Sequence, residues 1–301
     1  MTSGILLVDK PPGITSHGVV SRVRKLAGTR KVGHAGTLDP MATGLLVLGL
    51  DSSTRLLTYL VGLDKRYLAT IRLGLATTTD DAEGEPVGPM ADTSGLTEQV
   101  IAATIVPLTG VISQVPSSVS AIKVDGKRSY DRVRDGEEFV LQPRTVTVSS
   151  FDLLDVRLGP AGVDLDVSVD CSSGTYIRAL ARDLGTSLGV GGHLTALRRT
   201  RIGPFDITEA HQLDEHLMAN LLDPAAVARR LFPAVQLDVA ERIELQQGKR
   251  PVLGALEESL KNIPGPIAAI GENGELTGLI STTAGVARVL VNFPTTGGDS
   301  Q

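Results

Sequence analysis

The chain is expected to be an α+β protein, and three observations lead there. Runs that alternate apolar and polar residues, read as strands, recur irregularly among helical patterns, not in the regular succession of a doubly wound sheet. Gly (33) and Pro (16) are abundant without a Gly-X-Y period, so the chain turns often. With 42% hydrophobic and 21% charged residues it can build a core and is not a disordered chain. At about 150 residues per domain, 301 residues suggest two domains.

In chain order, Gly4–Val8 (GILLV) reads as a short buried strand closed by the stiff turn Asp9-Lys10-Pro11-Pro12-Gly13. Thr15 or Ser16 then caps a helix with Val19, Val20, Val23 and Leu26 on one face, Arg22 and Lys25 on the other, and Gly28 at its end. Gly33–Gly44 (GHAGTLDPMATG) is a loop leading into the apolar run Leu45–Leu50. Tyr67–Leu73 alternates as a strand, and the polar stretch Thr77–Ser94, with Gly84, Pro86, Gly88 and Pro89, reads as a long surface loop. Val163, Leu165, Val167, Val169 and Cys171 alternate with Asp164, Asp166, Ser168 and Asp170, a half-buried strand. Ser172-Ser173-Gly174 turns it into a helix from Thr175 to Leu188, apolar along Ile177, Leu180, Ala181, Leu184 and Leu188. A boundary near Leu231–Leu237 divides 1–232 from 233–301. Beyond it, Ile267–Ile270, the Glu272-Asn273-Gly274 turn, Leu276–Ile280 and Val286–Phe293 read as a small all-β module, and 295–301 as a loose tail.

Several function classes drop out. A single cysteine, Cys171, excludes a disulfide framework and a cysteine-built metal site, and it reads as a small core residue. The five histidines (His17, His34, His193, His211, His216) are scattered with no H-E-x-x-H spacing, so no metal site is expected. The N-terminus lacks a signal-peptide pattern, and the longest uncharged run, 99–122, is broken by Pro107, Gly110 and Pro116. A cytoplasmic protein off the membrane is the expectation. With no long apolar stripe unassigned, so is a monomer.

The net charge of −5 conceals an uneven distribution. Residues 10–38 hold six cations and no acid, and 172–203 hold five arginines against Asp183, whereas 206–301 hold thirteen acids against seven bases. Two basic segments in an acidic chain fit a positive face turned toward a polyanion, although solvated helix faces explain them equally well. The Gly33–Gly44 loop is not a phosphate-binding P-loop, having no G-x-x-x-x-G-K-[ST]. Its Asp39-Pro40 pair is also how a helix begins, and spacing alone does not decide between a cap and a catalytic carboxylate.

Taken with other blocks, this loop resembles that of the bacterial tRNA pseudouridine-55 synthases, the TruB family. The resemblance runs through Asp64-Lys65-Arg66-Tyr67, Ser120-Ala121-Ile122-Lys123-Val124-Asp125-Gly126, Cys171-Ser172-Ser173-Gly174-Thr175-Tyr176-Ile177-Arg178 and Leu197-Arg198-Arg199, in that order. It implies a catalytic domain around a central mixed, mainly antiparallel sheet, and a small C-terminal β-rich, PUA-like RNA-contacting domain. Asp39 matches the family's catalytic aspartate, Tyr67 its active-site tyrosine and Arg178 its active-site arginine. His34, Tyr176 and Leu197 match nucleotide-contacting positions, Gly36 lies within the same block, and Lys10 opens a Lys-Pro motif that braces the catalytic loop.

The implied reaction isomerises uridine 55 in the tRNA T-loop to pseudouridine, with no atoms gained or lost, so no cofactor is expected. The implied partner is the T-loop and stem of tRNA, with the base flipped out and both basic segments on the RNA backbone. An RNA-binding, tRNA-folding module with secondary catalysis is the alternative. The chain departs from the family pattern at Thr78, where relatives carry an acid, while Asp81 keeps the second acid. Pro116-Ser117-Ser118-Val119 departs from a usual Pro-Pro-x-aromatic.

Overall fold

The computed structural model describes residues 3–117, 141–159, 162–254 and 256–293, with the backbone of 123–124 and 127–128. Apart from a short ladder of Lys123–Val124 with Lys127–Arg128, the 120–126 block lies outside the described residues, as does the 295–301 tail.

Among the described residues, a ten-stranded sheet runs in the order His211–Gln212, Gly4–Lys10, Thr43–Leu50, Gly192–Ile202, Lys65–Leu73, Gly162–Cys171, Arg144–Gly159, Gly110–Gln114. Val32–His34 and Phe205–Asp206 pair off that path. Two junctions are parallel, His211–Gln212 with Gly4–Lys10 and Thr43–Leu50 with Gly192–Ile202, and the rest are antiparallel. The sheet is therefore mixed and mainly antiparallel, as expected.

The local chemistry explains the ends of the elements. Thr15 caps the Ser16–Ala27 helix by accepting from the Gly18 amide, and Gly28 closes it at φ 64°, a left-handed value that glycine adopts freely. Alternation in Lys65–Leu73 sends Lys65, Tyr67, Ala69, Ile71 and Leu73 to the buried face. Two of the longest strands were not legible. Arg144–Gly159 is broken by bulges between Val148 and Ser150 and between Leu153 and Asp155, which disrupt its period of two. Gly192–Ile202 hides its pattern by burying an arginine, Arg199. The 77–94 stretch is not wholly a surface loop: Ala76–Thr77 pairs with Pro86–Val87, and Thr77, Asp80 and Asp81 are buried.

A second sheet joins Ala234–Gln236, Ile267–Ile270, Leu276–Thr283 and Val286–Asn292. The region is β-rich but not all-β, because Asp238 and Glu241 form a capping box that starts a helix, Val239–Gln246. Ala268, Ile270, Leu276, Leu279 and Phe293 share one apolar cluster with Ile5, Leu7, Leu45, Val47 and Phe205 of the main sheet. Each large side chain so buried contributes about 1.5–3 kcal/mol. Among the described residues no helix is long and apolar enough to cross a membrane.

Candidate active site

The Gly33–Gly44 loop is held by groups from three distant segments. Lys10, fully buried at the end of its strand, donates from Nζ to the carbonyls of Pro11 (3.1 Å), Ile14 (2.7 Å) and Pro40 (3.2 Å). Ser16 Oγ donates to the Leu38 carbonyl (3.0 Å) and accepts from the Leu38 amide (2.8 Å). Arg199, 1% exposed, donates to the carbonyls of Leu45 (2.8 Å), Gly36 (3.1 Å) and Thr37 (3.4 Å). Asp39 sits between these anchors and begins a turn, its carbonyl accepting from the Ala42 amide (3.1 Å). No helix starts at Asp39-Pro40. Gly44, at φ 99°, lets the next strand lie against Arg199, because a Cβ there would stand 2.3 Å from the Arg199 carbonyl oxygen.

Arg178 enters from the first turn of the Ile177–Ser187 helix. Its guanidinium lies 3.0 Å from the Asp39 carboxylate and 3.1 Å from that of Asp81, and it donates to the Thr79 carbonyl (3.0 Å). The Arg178 and Asp81 side chains are 6% and 3% exposed, whereas that of Asp39 is 36% exposed. A buried pair of this kind resists loss of either partner, because the survivor would be left as an uncompensated charge. Asp81 is itself fixed by the Thr79 hydroxyl (2.5 Å) and the Glu83 amide (3.1 Å). The arginine is thus anchored on its buried side and offers its far edge to Asp39 as a charge-assisted contact.

These groups border a cavity of about 390 Å³. Its walls include Asp39, Tyr67, Arg178, Leu197, Tyr176 and Gly36. Tyr67 and Leu197 reach it from neighbouring strands, where Tyr67 stands opposite Arg199 in the ladder. Burial is the largest influence on the Tyr67 phenol and pushes its pKa above the usual value, so it stays protonated at neutral pH. Tyr176 precedes the arginine helix, where its amide donates to Gln114 Oε1 (2.8 Å) and its carbonyl accepts from Gln114 Nε2 (3.1 Å).

Two predicted residues lie off the cavity wall. His34 ends the Val32–His34 strand with its ring edge-on to His17 at 5.5 Å, and its Nδ1 is buried without a hydrogen-bond partner. Burial lowers its pKa. The hydrogen bonds of Lys10 go to backbone carbonyls, and Asp39 acts on it only through charge. Sequence reasoning singled out as site residues none of three further cations on the wall, Lys65, Arg144 and Arg199, nor Gln114, which holds Tyr176. Lys65 Nζ donates to the carbonyls of Val61 (2.9 Å) and Leu63 (2.6 Å), and burial brings its pKa down to about 8. Its inward phase on an alternating strand was the available signal.

The chain is similar to known proteins over nearly its whole length. The model for the TruB family pseudouridylate synthase N-terminal domain matches residues 24–177, and that for the tRNA pseudouridylate synthase B C-terminal domain matches 178–236. The chain is 59% identical over 295 residues to tRNA pseudouridine synthase B of Leifsonia xyli, covering 97% of each chain. It is 55% identical over 283 residues to the protein of the same name from Rhodococcus jostii, covering 92% of this chain and 90% of that one. Among solved structures, a chain of a Cbf5-Nop10-Gar1 complex superposes with a TM-score of 0.70 at 25% identity, covering 97% of this chain and 84% of that one.

Proposed function

Because the chain belongs to the TruB family of pseudouridylate synthases, we propose that it isomerises uridine 55 in the T-loop of tRNA to pseudouridine, with Asp39 as the reacting carboxylate. One observation carries the reading. An aspartate that is one-third exposed stands at a cavity wall, its oxygen 3.0 Å from a buried arginine that a second, buried aspartate holds in place.

The chemistry asks for this arrangement. The N1–C1′ bond breaks, the detached uracil turns within its pocket, and C5 bonds to C1′, while the hydrogen at C5 leaves as a proton and N1 gains one. Attack by the Asp39 carboxylate on C1′ splits this into two substitutions, as the nucleophile of a retaining glycosidase does. Arg178 aims the carboxylate by a charge-assisted contact. Tyr67 and Leu197 offer flat and apolar walls for the base, with the protonated Tyr67 ring stacking on it. The loose base is kept in place by such walls while it turns. A T-loop nucleotide reaches this cavity only when extruded from the RNA stack, at a cost of a few kcal/mol. The carbonyl clamps made by Lys10, Ser16 and Arg199 hold the Asp39 loop in shape while that happens. The β-rich C-terminal module, read as PUA-like, lies against the main sheet as a further RNA-contacting surface.

The test follows tritium released from C5-labelled uridine in an unmodified tRNA transcript. Stoichiometric release is expected from the wild type and none from Asp39→Asn, with tRNA binding kept within a few-fold. Release by Asp39→Asn at the wild-type rate would end the assignment.

A further inference from the structure

The two cation-rich stretches are treated differently by the fold. In 172–203 each arginine is engaged internally: Arg178 by Asp39 and Asp81, Arg182 by Asp80 and Asp183, Arg198 by Asp9, Arg201 by Asp170, and Arg199 by backbone carbonyls. The expectation that both stretches face RNA therefore weakens for this one. In 10–38, Lys10 is buried, but Arg22, Arg24, Lys25, Arg30 and Lys31 are exposed, and none takes part in an ion pair among the described residues.

Local needs explain only part of this cluster. Arg24 and Lys25 sit in the last turn of the Ser16–Ala27 helix, where cations complement its dipole, and Arg24 also donates to the Val32 carbonyl (3.2 Å). Asp51, whose amide donates to the Lys31 carbonyl (2.8 Å), has its carboxylate bonded by the Thr29 hydroxyl (2.9 Å). Arg22, Arg30 and Lys31 have no comparable task. The helix that carries the cluster is fixed at its other end to the catalytic loop, through Ser16 and Leu38. At 1.5 Å per residue, Lys25 stands about 14 Å from Ser16 along the axis. The cluster therefore starts one to two helical turns from the loop that carries Asp39 and leads away from it.

We propose that this corner, the outer half of the helix and the turn to Lys31, grips phosphates of the tRNA backbone outside the nucleotide held in the cavity. The inference rests on the function proposed above. In a chain of net charge −5, an exposed patch of unpaired cations beside the site concentrates a polyanion there and sets its direction of approach. Each phosphate neutralised releases counterions and adds about 0.7–0.9 to the slope of log K against log salt.

The test compares wild type with the quadruple variant Arg22→Gln, Lys25→Gln, Arg30→Gln, Lys31→Gln, measuring Kd for unmodified tRNA transcript between 50 and 200 mM salt and kcat at saturating tRNA. The expected result is a salt slope shallower by about 3, a Kd at least ten-fold weaker at the low-salt end, and kcat within two-fold. A charge-keeping variant (R22K, K25R, R30K, K31R) is expected to retain the wild-type slope. A glutamine variant with unchanged slope and Kd, or with reduced kcat at unchanged Kd, overturns the proposal. Wild-type turnover is a separate readout. Binding with the steep slope but no tritium release removes the proposed function and leaves the phosphate surface standing, whereas turnover with no change of slope in the variant removes only the surface.

Discussion

Replacing Asp81 by Asn is the sharpest probe of the site, because Asp81 lines up Arg178 without bordering the cavity itself. The two buried side chains face each other at 3.1 Å, while Asp39, on the other edge of the guanidinium, is one-third exposed. Outright removal of one partner from such a pair costs about 3–5 kcal/mol. Asparagine keeps an acceptor oxygen for Arg178 and Thr79, which reduces the loss to about 1–3 kcal/mol. For a chain of 301 residues, 2 kcal/mol lowers Tm by about 3 °C, so the variant remains folded at 25 °C. The rate suffers more. With its inner anchor weakened, Arg178 shifts toward Asp39, and a displacement near 1 Å costs about 10²-fold. Single-turnover tritium release at saturating tRNA, beside a filter-binding Kd, separates the two effects: kcat is expected to fall about 10²-fold with Kd within three-fold. Turnover at the wild-type rate in Asp81→Asn would refute the idea that Asp81 sets the position of Arg178.

Further expectations follow from the clamps and the backbone. Gly44→Ala puts a Cβ 2.3 Å from the Arg199 carbonyl oxygen at φ 99°; strain of about 1–3 kcal/mol plus the clash should lower Tm by several degrees, and an unshifted melting curve would show that the strand can move aside. Arg199→Met leaves the carbonyls of Gly36, Thr37 and Leu45 without their donor, so kcat should fall at least ten-fold while the far-UV circular dichroism stays native; a kcat equal to wild type would show that the loop holds its own shape. Lys10 and Lys65 both have pKa values brought down, chiefly by burial, to about 8 from 10.5. Between those values the unfolded chain binds more protons than the folded one, so stability contributed by these lysines rises with pH from about 8 toward 10.5. Urea midpoints at pH 7.5 and 9.5 should differ less in Lys10→Met than in wild type, and an identical pH response would remove Lys10 from that account.

The residues that meet at the cavity were singled out through the family resemblance, whose motifs are short and local: a Gly-rich loop around Asp39, a tyrosine opening an alternating strand, an arginine just after a Ser-Ser-Gly turn. The half-buried strand Gly162–Cys171 and the helix after it were legible for the same reason, since period and punctuation both lie within a dozen residues. What escaped was decided by partners far along the chain. The Thr77–Gly84 stretch reads as polar surface until Arg178, 97 residues later, is seen to bury Asp81. Arg182, Arg198 and Arg201 read as part of a nucleic-acid face because nothing in their neighbourhood shows that Asp80, Asp9 and Asp170 will meet them. Buried charge disguises strands as well. Arg199 sits where alternation calls for an apolar residue, and only the three carbonyls it satisfies make that tolerable.

The Arg199 clamp also has a consequence for how the protein is born. The carbonyls it holds, Gly36 and Thr37, precede it by 163 and 162 residues. At about 5–20 residues per second of ribosomal synthesis, the loop bearing Asp39 is extruded roughly 8–30 s before the guanidinium that shapes it. Over that interval the first strands can pair with one another, as Gly4–Lys10 does with Thr43–Leu50, but the cavity beside Asp39 lacks the wall that Leu197 and Arg199 provide. The nascent chain therefore carries the Asp39 loop on a half-built sheet, and the cavity can close only after the strand carrying Leu197 and Arg199 has been made and pairs between Thr43–Leu50 and Lys65–Leu73.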